Sequence, residues 1–302
     1  MSDIESVNVH RRAVEVVVAA GGTVSPEWER IAASWQRLAG FGDPAAVKDA
    51  CEALADAVIT GSGDVVDLAV RYLALTAGPV QAASVRNAVV TAVYAALRTE
   101  YRRSTGAANL GFLAGRYDTA ARALTDAMAV TDVMSPPERA VMLEGDKRQA
   151  WFAARKAVAQ IDEVVLPLRA AAVLSGEYSG LGHALDGGTG GTPGFWLGLL
   201  VDRTGVNPRR LWETWTENEG IDRWAGLVRL GGALRFAGPD EFRPLGEPAG
   251  YRVIQVRGGH GWIQAEVDPY DDREAQVAVL MAAPGMTRDS ALQLLDGVPC
   301  AA

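Results

Sequence analysis

The residue types that most often carry chemistry are few in this sequence and lie far apart. The three histidines, His10, His183 and His260, have no cysteine or carboxylate neighbours at metal-ligand spacing, so no metal site is read. His260 lies in the run Gly258-Gly259-His260-Gly261, where an exposed imidazole is either a candidate general base or a turn residue, the turn role being the simpler. No serine stands in a Gly-x-Ser-x-Gly elbow and no Walker loop is present. Gly187-Gly188-Thr189-Gly190-Gly191 could offer backbone N–H groups to a phosphate at a helix start near Thr192-Pro193, but without a preceding strand or a lysine it reads as a linker. Asp268, Asp271 and Asp272 cluster as either helix caps or a weak divalent-cation site, and capping is the reading adopted. No catalytic residue and no cofactor is assigned.

Two stretches resemble DNA-contacting motifs. Leu200-Val201-Asp202-Arg203-Thr204-Gly205-Val206-Asn207-Pro208-Arg209-Arg210-Leu211 resembles the helix-turn-helix core, with its apolar positions around a turn glycine. Within 197–217 the resemblance implies DNA contacts from Arg203, Arg209 and Arg210. Glu213, Glu217 and Glu219 follow them, and Thr214 stands where an apolar residue would close the core. Ala283-Pro284-Gly285-Met286-Thr287-Arg288-Asp289-Ser290-Ala291-Leu292 is similar to the helix-hairpin-helix loop, with Thr287 at the position of its second glycine; a side chain there hinders approach of a phosphate to the backbone. The simpler expectations are an ordinary helix pair and a structural helical turn.

Composition limits the partners. A formal net charge of −8 repels nucleic acid and anionic lipid unless positive charge is locally concentrated, so a nucleic-acid partner is disfavoured and a protein partner or self-association preferred. Two cysteines, Cys51 and Cys300, are too few for a disulfide framework. No apolar run reaches membrane-spanning length and Glu15 interrupts the only apolar stretch near the start, so the expectation is a cytoplasmic protein with no membrane contact.

The elements that position these residues read as mainly α: an N-terminal helical bundle with a long antiparallel helical hairpin, then a smaller α+β domain containing a β-hairpin. The expected divisions are an all-helical domain at 1–176, a glycine-rich linker at 177–194 and an α+β domain at 195–302. Helices are expected from Ile4 to Ala20; after Ser25-Pro26, with Trp28, Ile31, Trp35 and Leu38 on one face; after Asp43-Pro44, with Val47, Cys51, Leu54 and Val58 on one face; from Asp64 to Thr76; and from Val80 to about Arg103. After a break near Gly106, Leu110, Leu113, Tyr117, Ala120, Leu124, Ala127 and Thr131 form one heptad seam. Trp151, Ala154, Val158, Ile161, Val165, Leu168 and Ala172 form another. Ser135 to Glu138 is expected to be a capping box starting the second arm, and Pro167 to kink it.

Beyond the linker, helices are expected at Phe195 to Arg203 and Pro208 to Glu217. Strands at Tyr251 to Val256 and Trp262 to Val267 should be joined by a somewhat long turn. A helix or strand should reach Met281, and a last helix, capped by Thr287, should end at Leu295. Trp196, Trp212, Trp215, Trp224 and Trp262 crowd this part of the chain and are expected to fill its core. The two seams and the missing catalytic set point to a non-enzymatic interaction, scaffolding or assembly protein with a helical oligomerisation or docking surface. The alternatives are a DNA-binding regulator using 197–217 and an enzyme with an interdomain site.

Overall fold

The computed structural model describes residues 3–39, 44–61, 64–76, 79–178, 192–258 and 261–297. The chain is mainly helical, with two small two-stranded antiparallel sheets among the described residues, and its contacts divide it into two compact units, Met1–Tyr117 with Gln160–Thr189 and Asp118–Ala159 with Gly190–Ala302.

The first unit begins with α1 (Asp3–Ala19) and α2 (Pro26–Ala39), which pack on α5 (Pro79–Tyr101). Ser25 caps α2, its hydroxyl oxygen accepting from the Trp28 N–H at 3.1 Å. Val7, Val14, Val17, Trp28, Trp35, Val90 and Leu97 bury the apolar stripes of these helices. Between α2 and α5 lie α3 (Pro44–Thr60) and α4 (Val65–Thr76), packed on each other. Their packing reverses an expectation. Ala50 and Ala57 are buried and Leu54 is half-buried, whereas Cys51 and Val58 are exposed; the Val47 side chain lies outside the described ones.

The expected break near Gly106 is replaced by a π-helical turn, Arg102–Gly106, with helical backbone angles on both sides, so α5 runs on into α6 (Ala107–Val130). Gly106 is buried there, and a Cβ would stand 3.3 Å from the Tyr101 carbonyl oxygen. Because the helix does not end at Arg103, the arginines Arg98, Arg102 and Arg103 do not stand at a helix C-terminus. Arg102 instead donates from Nε to the Leu174 carbonyl at 3.1 Å, closing the end of α8 (Gly145–Ser175).

Leu110, Leu113 and Tyr117 of α6, and Ile161, Val165, Leu168 and Ala172 of α8, are buried in this unit. In the second unit Ala120, Leu124, Ala127, Trp151, Ala154 and Val158 are buried, while Thr131 is half-buried. The expected capping box does not form. The Ser135 hydroxyl donates to Asp132 at 3.3 Å, and Pro136 and Pro137 open only the single turn α7 (Pro137–Ala140) before α8 starts at Gly145. Pro167 lies inside α8.

The rest of the second unit comprises α9 (Pro193–Leu200), β1 (Val201–Asp202), α10 (Pro208–Glu217), α11 (Gly220–Arg229), β2 (Ala233–Leu234), β3 (Arg252–Gly258), β4 (Gly261–Val267), α12 (Arg273–Met281) and α13 (Arg288–Leu295). The expected helix to Arg203 therefore stops at Leu200, where the chain turns extended and pairs Val201 with Leu234. Register pairs Gly258 with Gly261, so both strands run closer together along the chain than expected. Ile254, Val256 and Val267 pack against Val277, Leu280 and Ala291 of α12 and α13. Trp196, Trp215 and Trp224 form a buried aromatic series, Trp196 stacked on Trp215 at 6.1 Å and Trp215 edge-on to Trp224 at 5.5 Å. Trp262 departs from the core expectation at 70% exposure, because it projects from the outer face of the β-hairpin, opposite the one that packs on the helices.

Candidate functional site

Two glycines one turn apart, Gly194 and Gly198, give α9 a side without Cβ atoms, and the segment 243–245 lies directly on it. A Cβ at Gly194 would overlap the Leu245 carbonyl oxygen, and one at Gly198 the Arg243 carbonyl oxygen. The Leu245 N–H donates to the Gly194 carbonyl at 2.9 Å, and the Ala237 and Arg235 N–H groups donate to Leu199 and Leu200 at 2.8 and 3.1 Å. These backbone bonds bring the start of β1, the segment after β2 and Arg243 around a polar cleft of about 250 Å³. Its charged walls are Asp202, Arg203, Arg235, Glu241 and Arg243, with Thr204 beside them.

The charges in the cleft are unevenly compensated. Arg235 pairs with both carboxylates, from Nε to Asp202 at 3.2 Å and from Nη1 to Glu241 at 2.7 Å. The Asp202 carboxylate also accepts from the Thr204 hydroxyl and N–H, at 2.8 and 3.1 Å, and these bonds, followed by that from Arg235, hold its pKa below the ordinary value. The Glu241 carboxylate accepts from the Gly238 N–H as well. Arg203 donates from Nη1 to the Arg243 carbonyl at 2.9 Å, and Arg243 from Nη1 to the Phe242 carbonyl at 2.7 Å. Among the described residues neither of these two guanidinium groups forms an ion pair. Burial pulls the Arg203 pKa down, against the neighbouring Asp202.

A second polar cluster holds the start of α10. The Asn207 side-chain oxygen caps the helix, accepting from the N–H groups of Arg209 and Arg210 at 2.9 and 3.3 Å, while its amide nitrogen donates to Asp268 and Asp271 at 3.1 and 2.8 Å. The buried Arg209 guanidinium lies 3.2 Å from Asp268, 4.0 Å above the Tyr251 ring, and donates to the Ala249 carbonyl. Arg210 pairs with Asp271 at 2.9 Å. Burial favours the neutral form of Asp268, but the Tyr270 N–H, Asn207 and Arg209 outweigh it and hold this carboxyl below its usual range.

The three arginines of the DNA-contact reading therefore have different surroundings. Arg209 and Arg210 are held by aspartates that join α10 to the β4–α12 connection, and Arg203 stands in the cleft. Asp272 caps α12, accepting from the Ala275 N–H at 2.8 Å, and Thr287 caps α13 through the Ser290 N–H at 3.2 Å. His10 is buried among Trp28, Tyr94 and Tyr101. Among the described residues no group of three or more histidine, cysteine, aspartate or glutamate side chains is placed to hold a metal ion. His183, His260, Cys300 and Gly187-Gly188-Thr189-Gly190-Gly191 lie outside the described residues.

Sequence reasoning passed over Arg235, Glu241 and Arg243. The signal in the sequence is the Gly194-x-x-x-Gly198 spacing, two residues without a Cβ on one side of a helix, which allow close approach of another segment. Among the described residues no helix is long and apolar enough to cross a membrane. No family model, no curated protein and no solved structure matches this chain.

Proposed function

We propose that this is a non-enzymatic interaction or assembly protein that associates with a second copy of itself through the outer face of the α3–α4 hairpin. The observation that supports this reading is the inverted packing of the hairpin. Ala50 and Ala57 of α3 are buried, while Val58, Ile59, Val65, Val66 and Val70 are exposed, Ile59 to 82% and Val66 to 74%. An isolated pair of helices of this length is marginal in water. A second hairpin laid against the first completes a four-helix bundle, and the same patch on both chains is self-complementary about a two-fold axis. Each of the five is already partly buried, so covering what remains exposed yields less than the roughly 1.5–3 kcal/mol apiece of full burial, contributed by both copies and set against the cost of association.

Light scattering over a wide concentration range tests the reading with the wild-type chain and the pair Ile59→Asp and Val66→Asp. The expected result is a dimer in the wild type and a monomer with unchanged helical content in each variant. A wild-type monomer throughout, or a dimer that both variants retain, refutes the reading.

A further inference from the structure

The cleft beside α9 has a composition that a surface ion-pair cluster does not need. Of its three arginines, Arg235 alone meets both carboxylates; Arg203 and Arg243 are anchored by one backbone carbonyl each and form no ion pair among the described residues. A guanidinium carries five N–H donors in a planar fork, so each has donors left over. Arg203 is also half-buried, and a desolvated cation with spare donors is costly unless an anion completes it.

We propose that this cleft binds a small organic monocarboxylate, held between the guanidinium groups of Arg203 and Arg243. Three arginines against Asp202 and Glu241 leave the walls one positive charge in excess, which a single carboxylate neutralises. A phosphate dianion would exceed that charge and meet the two wall carboxylates. A flat carboxylate instead lies side by side with a guanidinium and accepts two parallel N–H bonds. Asp202 and Glu241 keep acceptor capacity beyond their bonds to Arg235, so a hydroxyl or ammonium on the same ligand has a partner on the opposite wall.

The volume fits a ligand of this size. At roughly 30 Å³ per water in the liquid, a cleft of about 250 Å³ holds the volume of about eight waters, room for an acid of about four to six carbons. Its construction is also specific: Gly198 lets the chain at Arg243 approach α9, and the Arg203–Arg243 bond orients one side chain on the backbone of the other.

Isothermal titration calorimetry at constant ionic strength, with butyrate, 3-hydroxybutyrate, 4-aminobutyrate and inorganic phosphate as probes, tests the proposal. The expected result is saturable binding of at least one of the three acids, weaker binding of phosphate, and a loss of about tenfold or more in affinity for Arg203→Gln and for Arg243→Gln, the effect of removing one charge-assisted hydrogen bond. Circular dichroism checks folding, and the exposed Arg243 decides the outcome if the Arg203 variant unfolds. No saturable binding of any of the three acids up to about 10 mM, phosphate binding more tightly than all of them, or affinity unchanged by Arg243→Gln each overturns it.

Discussion

Lowering the pH from 7 to 5 should destabilise the first unit through His10, and the size of the loss follows from its surroundings. The imidazole is 2% exposed, lies edge-on to Tyr94 and Tyr101 with ring centroids at 5.9 and 6.3 Å, and has Trp28 tilted at 6.5 Å. Burial, and then the guanidinium groups of Arg98 and Arg102, disfavour its protonated form; the Leu97 backbone opposes them, and the pKa is lowered to about 4. In the unfolded chain the group titrates near its ordinary value of 6.5. Between these two values the unfolded chain binds more protons than the folded one, so stability falls as pH falls. The loss begins near 6.5, reaches about 2 kcal/mol by pH 5, and levels off at about 3 kcal/mol below the folded pKa. Above 6.5 His10 contributes no pH dependence.

Urea unfolding at pH 7 and pH 5, followed by circular dichroism, measures the loss in the wild type and in His10→Phe, which keeps a ring in the aromatic box but cannot titrate. The difference of differences should be about 2 kcal/mol. Comparing pH 7 with pH 5 keeps most carboxylate titration out of the measurement. Equal losses in the two proteins, or an NMR titration placing the His10 imidazole near 6.5, refute the reasoning.

Two further perturbations test the packing that builds the second unit and the polar cluster that closes it. Gly198→Ala places a methyl group on the Arg243 carbonyl and should destabilise the protein by about 1–3 kcal/mol, whereas Gly115→Ala, where a Cβ meets nothing within 4 Å, should stabilise α6 by about 0.5–1 kcal/mol; urea midpoints read both signs. Arg209→Met leaves the Asp268 carboxylate buried without its cation and should cost about 3–5 kcal/mol in urea unfolding, with Arg209→Met/Asp268→Leu recovering much of the loss.

Where the sequence was informative, the reason is local. The helix starts at Pro26, Pro208 and Arg288 were legible because capping by Ser25, Asn207 and Thr287 involves residues two or three positions apart, whereas at Arg273 the pattern left helix and strand open. The α6 and α8 seams were legible because every third or fourth residue repeats one chemical type, and those residues are buried apart from the half-buried Thr131. The α3 stripe misled because Val47, Cys51, Leu54 and Val58 satisfy the same periodicity as Ala50 and Ala57. Periodicity identifies faces and does not say which one a neighbour will cover. Glycine at 106 predicts a helix end, whereas Gly106 is buried beside Tyr101 and the chain stays helical through a π turn.

The candidate site was legible only as residue types. By itself the sequence determined a mainly helical chain, most of its helix starts and the arginines at 203, 209 and 210. The tertiary structure decided which of those arginines are neutralised, because Arg210 meets a carboxylate 61 positions away and Arg203 a carbonyl 40 positions away. Helical propensity is summed over neighbours along the chain, whereas the environment of a charge depends on whatever folding places within a few ångströms of it. A linear pattern does not carry that information.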